Sequence, residues 1–352
     1  MLQLISIGIT GFVISFLGLP IVIRYTLKQN LVDVPGKRKI HKKRMPSMGG
    51  VPIFLGFILS SLIWIDFQYW YQLKYIFSAA FIVFIVGFRD DLVPMKVSLK
   101  ILGQFLACSI LVLLLELNLQ GLYGLLGIVD FPHIVNQGIT IFTIIIIMNA
   151  FNLIDGMDGL ASTLSLLSLL WFGIWFFVTG NSFYSFLALS LAGAIFAFLI
   201  FNWEPAEIFM GDTGALLIGI MMAIFSIAFM RDNFALPPTS FFKFKGTISA
   251  GMAIIIIPLL DTARIIALRL WKRKSPFKAD KSHMHHALLR LGLSHGKSVF
   301  ILGGIQLAFF FLIVLLKDLP DSQLLPIMAI LAISISVFFD QMVLQRLIKK
   351  KP

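Results

Sequence analysis

The sequence predicts an all-α polytopic membrane protein of about eleven transmembrane helices with a cytoplasm-facing active site. Three observations carry this. The 352 residues are 59% hydrophobic and 13% charged, far from the balance of soluble globular chains. Apolar stretches long enough to cross a bilayer recur along the whole length. With the N-terminus placed outside, 24 of the 29 Lys and Arg residues fall in inside segments and 5 fall outside. Positive charge marks the cytoplasmic side, so the C-terminus is expected in the cytoplasm.

The spans are read at 2–24, 48–65, 73–88, 98–117, 135–151, 160–179, 183–202, 213–230, 247–268, 298–316 and 322–345. The first lacks a basic leader and a small-residue cleavage site, so it is expected to be a retained span. A basic segment, Arg24–Arg44, separates it from the second. The third ends in GFRDD and the fifth in NAFNLIDGMDGLA. The connection Asn118–Ile134 is apolar but broken by Gly121, Gly124, Gly127 and Pro132, and is expected to dip into the interface. Pro258 interrupts the ninth span, where it should kink the helix and open a lateral groove beside Asp261. The longest inside loop, Arg269–Lys297, carries SPFKADKSHMHH.

Composition also excludes classes. A single cysteine, Cys108, permits no internal disulfide and no Cys-based metal site. The net charge of +12 fits positive-inside loops and anionic headgroups, and no basic–aromatic stripe suggests nucleic acid.

On this map the conspicuous polar residues share one side. Asp155 and Asp158 stand three apart at the end of the fifth span, where two carboxylates invite a cation. Gly156 and Gly159 keep that stretch thin. Asp90 and Asp91 close the third span, and Asp212 sits between glycines at a helix start. Five carboxylates and no thiol suit Mg²⁺ or Mn²⁺ rather than zinc. Magnesium completes its shell with substrate phosphates, which points to phosphoryl transfer. Asn202 and Phe209 are candidates to bind a base, by amide hydrogen bonds and stacking. His283, His285 and His286, beside Arg290, are candidates to donate to a pyrophosphate. Lys39 and His41 are candidates for a lipid phosphate, although most charge in their loop serves topology.

The RK-x-H loop with PSMGG, GFRDD…SLKILGQ, NAFNLIDGMDGLA, FN-x-x-PA-x-IFMGDTG, IPLLD and SPF-x-x-D-x-x-HMHH follow one another over residues 33–297. Together they resemble the polyprenyl-phosphate N-acetylhexosamine-1-phosphate transferases, the WecA/TagO group, with MraY translocases as more distant relatives. The resemblance implies one integral membrane transferase domain over 1–352 in the bacterial inner membrane. It implies transfer of N-acetylhexosamine 1-phosphate from a UDP-sugar to undecaprenyl phosphate, with release of UMP, as the first membrane step of cell-envelope polysaccharide synthesis. By residue it implies Asp212 as the Mg²⁺ ligand, with Asp155 contributing. Asp90 and Asp91 are implied as the acidic pair near the lipid phosphate and metal, and Asp155 and Asp158 as acids around nucleotide and metal. Asn202 and Phe209 are implied at the uridine, and Lys100 with the histidines near the phosphates. Asn149, Asn152 and Asp261, within the shared motifs, complete the expected substrate-binding set. A homodimer is compatible with it.

The chain departs from some relatives at Val93-Pro94-Met95, where they carry a further acid. Its HMHH differs from the three consecutive histidines of the MraY branch, which favours a simple UDP-sugar donor, UDP-N-acetylglucosamine first, over the muramyl-pentapeptide donor. Direct attack by the lipid phosphate is favoured, because a phosphate monoester with a second pKa of about 6 is already anionic near neutrality. A covalent aspartyl-phosphate route stays open. Two other classes weigh less. A transporter would place polar groups at mid-membrane and on both faces. A CDP-alcohol phosphatidyltransferase, suggested by Asp261-Thr-Ala-Arg264, would carry further glycine and aspartates where Ile265–Leu270 runs into basic residues.

Overall fold

The computed structural model describes residues 2–33, 45–271, 273 and 283–349. The chain is an all-α, multi-pass membrane protein. Its helices are α1 (Leu2–Lys28), α2 (Gly50–Trp64), α3 (Trp70–Leu92), α4 (Val97–Ser109), α5 (His133–Ile154), α6 (Leu160–Val178), α7 (Ser182–Asn202), α8 (Gly211–Ala235), α9 (Thr247–Ile254), α10 (Ile256–Trp271), α11 (Met284–Arg290), α12 (His295–Leu315) and α13 (Asp321–Lys349). A two-residue antiparallel pair, β1 (Val32–Asp33) with β2 (Met45–Pro46), is the only strand pairing among the described residues.

The bundle is built around α8. Its sequence over residues 214–230 is apolar on nearly every face, and a helix of that kind must be enclosed. The whole of its most apolar 18-residue stretch is buried, against α2, α3, α5, α6, α7 and α9. Such burial demands small residues where backbones meet. Gly87 of α3 is one: a Cβ there would lie 2.5 Å from the Thr213 Cα. That contact brings GFRDD against GDTG. On the other side of the α8 start, the Gly49 and Gly50 N–H groups donate to the carbonyls of Phe209 and Met210 at 3.0 and 2.9 Å. PSMGG, GFRDD and GDTG are thus joined at one end of α8.

Every expected span has a helical counterpart, but not all are plain crossings. Among the described residues, nine helices are long and apolar enough to span a membrane. The expected second span is the 15-residue α2, which at about 1.5 Å per residue falls short of a hydrocarbon core of about 30 Å. The expected ninth span is two helices, α9 and α10, bent by 92°. The break lies at Ile255, upstream of Pro258. Pro258 has no N–H for the Ile254 carbonyl and its ring crowds that group, so α9 stops at Ile254 and the proline sits in the first turn of α10.

Candidate active site

The second residue of α8, Asp212, is the centre of the polar cluster. Its position is set by Asp91 at the end of α3. The Asp91 carboxylate accepts from the Asp212 N–H at 2.7 Å, from the Thr213 N–H at 3.0 Å and from the Thr213 hydroxyl at 2.5 Å. Asp91 therefore caps α8 from another helix, satisfying N–H groups that have no partner within it. Both of its oxygens are spent on this.

Asp90 faces differently. It accepts from the Met95 N–H at 2.5 Å and from Lys100 at 3.1 Å. The Lys100 ammonium also lies 2.8 Å from Asp212 Oδ1, so it bridges Asp90 and Asp212. Lys100 is held by the tie between α4 and α5: Asn149 donates to the buried Gln104 at 3.0 Å and to the Ile145 carbonyl at 2.7 Å. Asn149 braces these helices, while Asn152, nearly one turn on, donates to Asp212 Oδ1.

Asp155 ends α5 and is half-buried. Burial and the nearby Asp212, Asp91 and Asp158 raise its carboxyl to about 7. Asp158 behaves oppositely. Burial opposes its ionisation, but the His295 imidazole and the Ala206 N–H outweigh burial and hold it below the usual carboxylate range. Its Oδ2 lies 3.2 Å from His295 Nδ1 and accepts the Ala206 N–H at 3.3 Å.

The histidine segment packs onto the same loop. Asp261, only 1% exposed, pairs with His283 Nδ1 at 2.8 Å and accepts the Met284 N–H at 2.7 Å. His285 lies behind it, with Nδ1 at 4.0 Å from Asp261 Oδ2. Burial drops its imidazole to about 3, so it is neutral. Its Nε2 lies 2.9 Å from where a Gly156 Cβ would be. The thinness of the DGMDG loop thus admits the His285 ring. Asp261, His283 and His285 place ligand atoms within 4.8 Å of one another, but both Asp261 oxygens already accept hydrogen bonds. His286 is half-buried and Arg290 exposed.

Some expected roles change. Asn202, expected at the uracil, is 3% exposed. Its Oδ1 accepts from the Gly159 N–H at 3.0 Å and the Ser162 hydroxyl at 3.1 Å, and its Nδ2 donates to the Ile208 carbonyl at 2.9 Å. The amide is consumed in shaping the DGMDG loop and has no face for a base. Asp261, expected at substrate, is likewise an internal brace. Phe209 is half-buried, with its backbone N–H donating to the Pro46 carbonyl at 2.8 Å. Lys39 and His41 lie outside the described residues.

Comparison with known proteins bears on what this cluster belongs to. Residues 73–230 match the model of glycosyl transferase family 4. The chain is 32% identical over 323 residues to a probable undecaprenyl-phosphate N-acetylglucosaminyl 1-phosphate transferase of Bacillus subtilis, covering 88% of this chain and 85% of that one. The chain belongs to glycosyl transferase family 4. Among other similar members of the family are a decaprenyl-phosphate N-acetylglucosaminephosphotransferase of Mycobacterium tuberculosis, 30% identical over 85% of this chain and 79% of its own. An undecaprenyl-phosphate alpha-N-acetylglucosaminyl 1-phosphate transferase of Salmonella typhi is 28% identical with the same coverage.

In this family 4 chain, four participants escape a reading of the sequence. Gln104, Thr213, Glu204 and His295 support the site through partners distant in the chain. Glu204 accepts the Gly296 N–H at 2.7 Å, and that bond holds its carboxyl below the usual range. Gln104 and Thr213 stand inside the SLKILGQ and FMGDTG motifs without being singled out there, Glu204 is an acid in the loop that leads to Asp212, and His295 lies outside every motif.

Proposed function

We propose that this family 4 chain transfers N-acetylglucosamine 1-phosphate from UDP-N-acetylglucosamine to undecaprenyl phosphate. It would act in the bacterial cytoplasmic membrane, with its N-terminus outside and the polar cluster facing the cytoplasm. An oxygen of the lipid phosphate attacks the sugar-side phosphorus of the donor. The bond from that phosphorus to the bridging oxygen breaks, and UMP leaves. The product is undecaprenyl-pyrophosphoryl-N-acetylglucosamine. The observation that carries the reading is the corner where Lys100 bridges Asp90 and Asp212, with Asn152 on Asp212 and Asp155 beside them.

That corner offers hard oxygen donors, and Asp155 is a carboxylate whose ionisation its neighbours oppose. This donor set fits Mg²⁺ or Mn²⁺. Asp212 and Asp155 would hold the ion, which when bound neutralises charge on the pyrophosphate oxygens. Lys100 adds a positive charge at the phosphates, oriented by Asp90. Asp91 acts by keeping Asp212 in place. His286 and Arg290 meet the pyrophosphate from α11 in the long loop, with Asp261, His283 and His285 fixing the start of that helix. An already anionic acceptor needs alignment and charge neutralisation more than a base. The test is Asp212→Asn in a lipid-extraction assay with labelled UDP-N-acetylglucosamine. Transfer should fall by at least about a hundredfold, with expression and melting behaviour retained. Near-normal transfer would refute the assignment.

A further inference from the structure

We propose that His295 is a positioning residue for the nucleoside half of the donor, acting by holding Asp158. This rests on the transferase reading above. Three segments converge at Asp158: the DGMDG loop, residues 202–210 and the first turn of α12. Asn202 fastens the first two through Gly159 and Ile208. Glu204 fastens the second to α12 through the Gly296 N–H. The Trp203 ring packs between them, near Gly159 and edge-on to Phe300 at 5.6 Å. From α12 itself, the group that reaches Asp158 is the His295 imidazole, 3.2 Å from Oδ2.

The same oxygen accepts the Ala206 N–H. Among the described residues, no other residue donates a hydrogen bond to Oδ1. An ionised carboxylate repels phosphate but accepts well from N–H and O–H groups. A nucleoside supplies such donors and a pyrophosphate does not. Through the Ala206 N–H, Asp158 is also tied to the segment leading to Phe209. Its free oxygen is therefore suited to a nucleoside donor group, and its aim depends on what grips Oδ2. Ala206 is a single 3.3 Å contact, so the second restraint on the carboxylate is its ion pair with His295, whose Nδ1 is buried without a hydrogen-bond partner.

The test compares the wild type with His295→Ala and His295→Gln, measuring KM for UDP-N-acetylglucosamine, kcat and inhibition by UMP. For His295→Ala, KM and the UMP inhibition constant should rise together by about tenfold, while kcat stays within about twofold. His295→Gln, which keeps a donor, should recover part of the loss. In an Asp158→Asn background, His295→Ala should add little, because the residue it holds is already altered. Glu204→Ala, which removes an acceptor from the turn that carries His295, should raise both constants in the same direction but by less than His295→Ala. A fall in kcat with KM and UMP inhibition unchanged would overturn the proposal, as would full additivity with Asp158→Asn. Should His295→Ala fail to fold, His295→Gln carries the same comparison. UMP binding by calorimetry keeps the two claims apart: absence of turnover in the wild type counts against the transferase reading, and unchanged UMP affinity in the variant counts against His295.

Discussion

Asp91 holds the backbone of Asp212, accepting its N–H at 2.7 Å from the end of a different helix. The adjacent Asp90 instead pairs with Lys100. Substitution should separate the two. Asp91→Ala leaves the Asp212 and Thr213 N–H groups unsatisfied, and each buried orphan costs roughly 1–3 kcal/mol. Its melting temperature in detergent should drop along with its activity. Asp90→Asn should keep the melting temperature within a few degrees and lose transfer by at least about tenfold. Equal thermal losses in both would contradict the division of labour.

Asn202 provides a second separation. A base-binding amide would, on removal, raise KM and leave folding alone. A loop brace would, on removal, destabilise the protein. Asn202→Ala strands the Gly159 N–H and the Ile208 carbonyl, so a lower melting temperature and poor membrane yield are expected. Thermal unfolding of purified Asn202→Ala decides between them.

Most of the fold is legible because a lipid-facing helix needs a long apolar run, and the runs stand clear in the sequence. The length of α2 and the turn at Ile255 are less so. A short helix hides where apolar residues continue past its ends, and a proline breaks the chain upstream of itself. Within the site, Asp155, Asp212 and Lys100 come together as a one-sided placement suggests. Asp90 and Asp91 are indistinguishable in sequence, yet adjacent helical residues point about 100° apart and find different partners. Asn202 and His295 take their meaning from chain-distant contacts that no local pattern records.

The pH response follows from opposite shifts. The Asp155 carboxyl is raised to about 7. Without a divalent cation, the folded state keeps this proton while the unfolded state loses it near 4. Stability from this group therefore falls as pH rises from about 4 to about 7. Protons also compete with the cation, so the Mg²⁺ concentration for half-maximal transfer should rise as pH is lowered from 8 to 6. Asp158 and Glu204 are lowered instead. Their contribution is present above the unfolded values and is lost as pH falls through the folded ones. Hydrogen exchange at the start of α12 should therefore accelerate below about pH 4, and Glu204→Gln should remove much of that acid sensitivity.

Orientation is tested apart from chemistry. The lopsided Lys and Arg distribution predicts that a reporter fused after Pro352 is active as a cytoplasmic fusion and silent as a periplasmic one. The reverse result would mean that the α2 segment or the bent α9–α10 pair is counted wrongly as a crossing.

The central claim is that this polar corner transfers a simple amino-sugar phosphate to a polyprenyl phosphate. The most direct measurement incubates the purified protein with undecaprenyl phosphate, Mg²⁺ and labelled UDP-N-acetylglucosamine or the UDP-muramyl-pentapeptide, separately and in competition. Lipid extraction and UMP release are followed together. The account predicts labelled lipid and equimolar UMP from UDP-N-acetylglucosamine, no lipid product from the muramyl donor, and loss of both products in Asp212→Asn. Turnover of the muramyl donor with UDP-N-acetylglucosamine inert would contradict it.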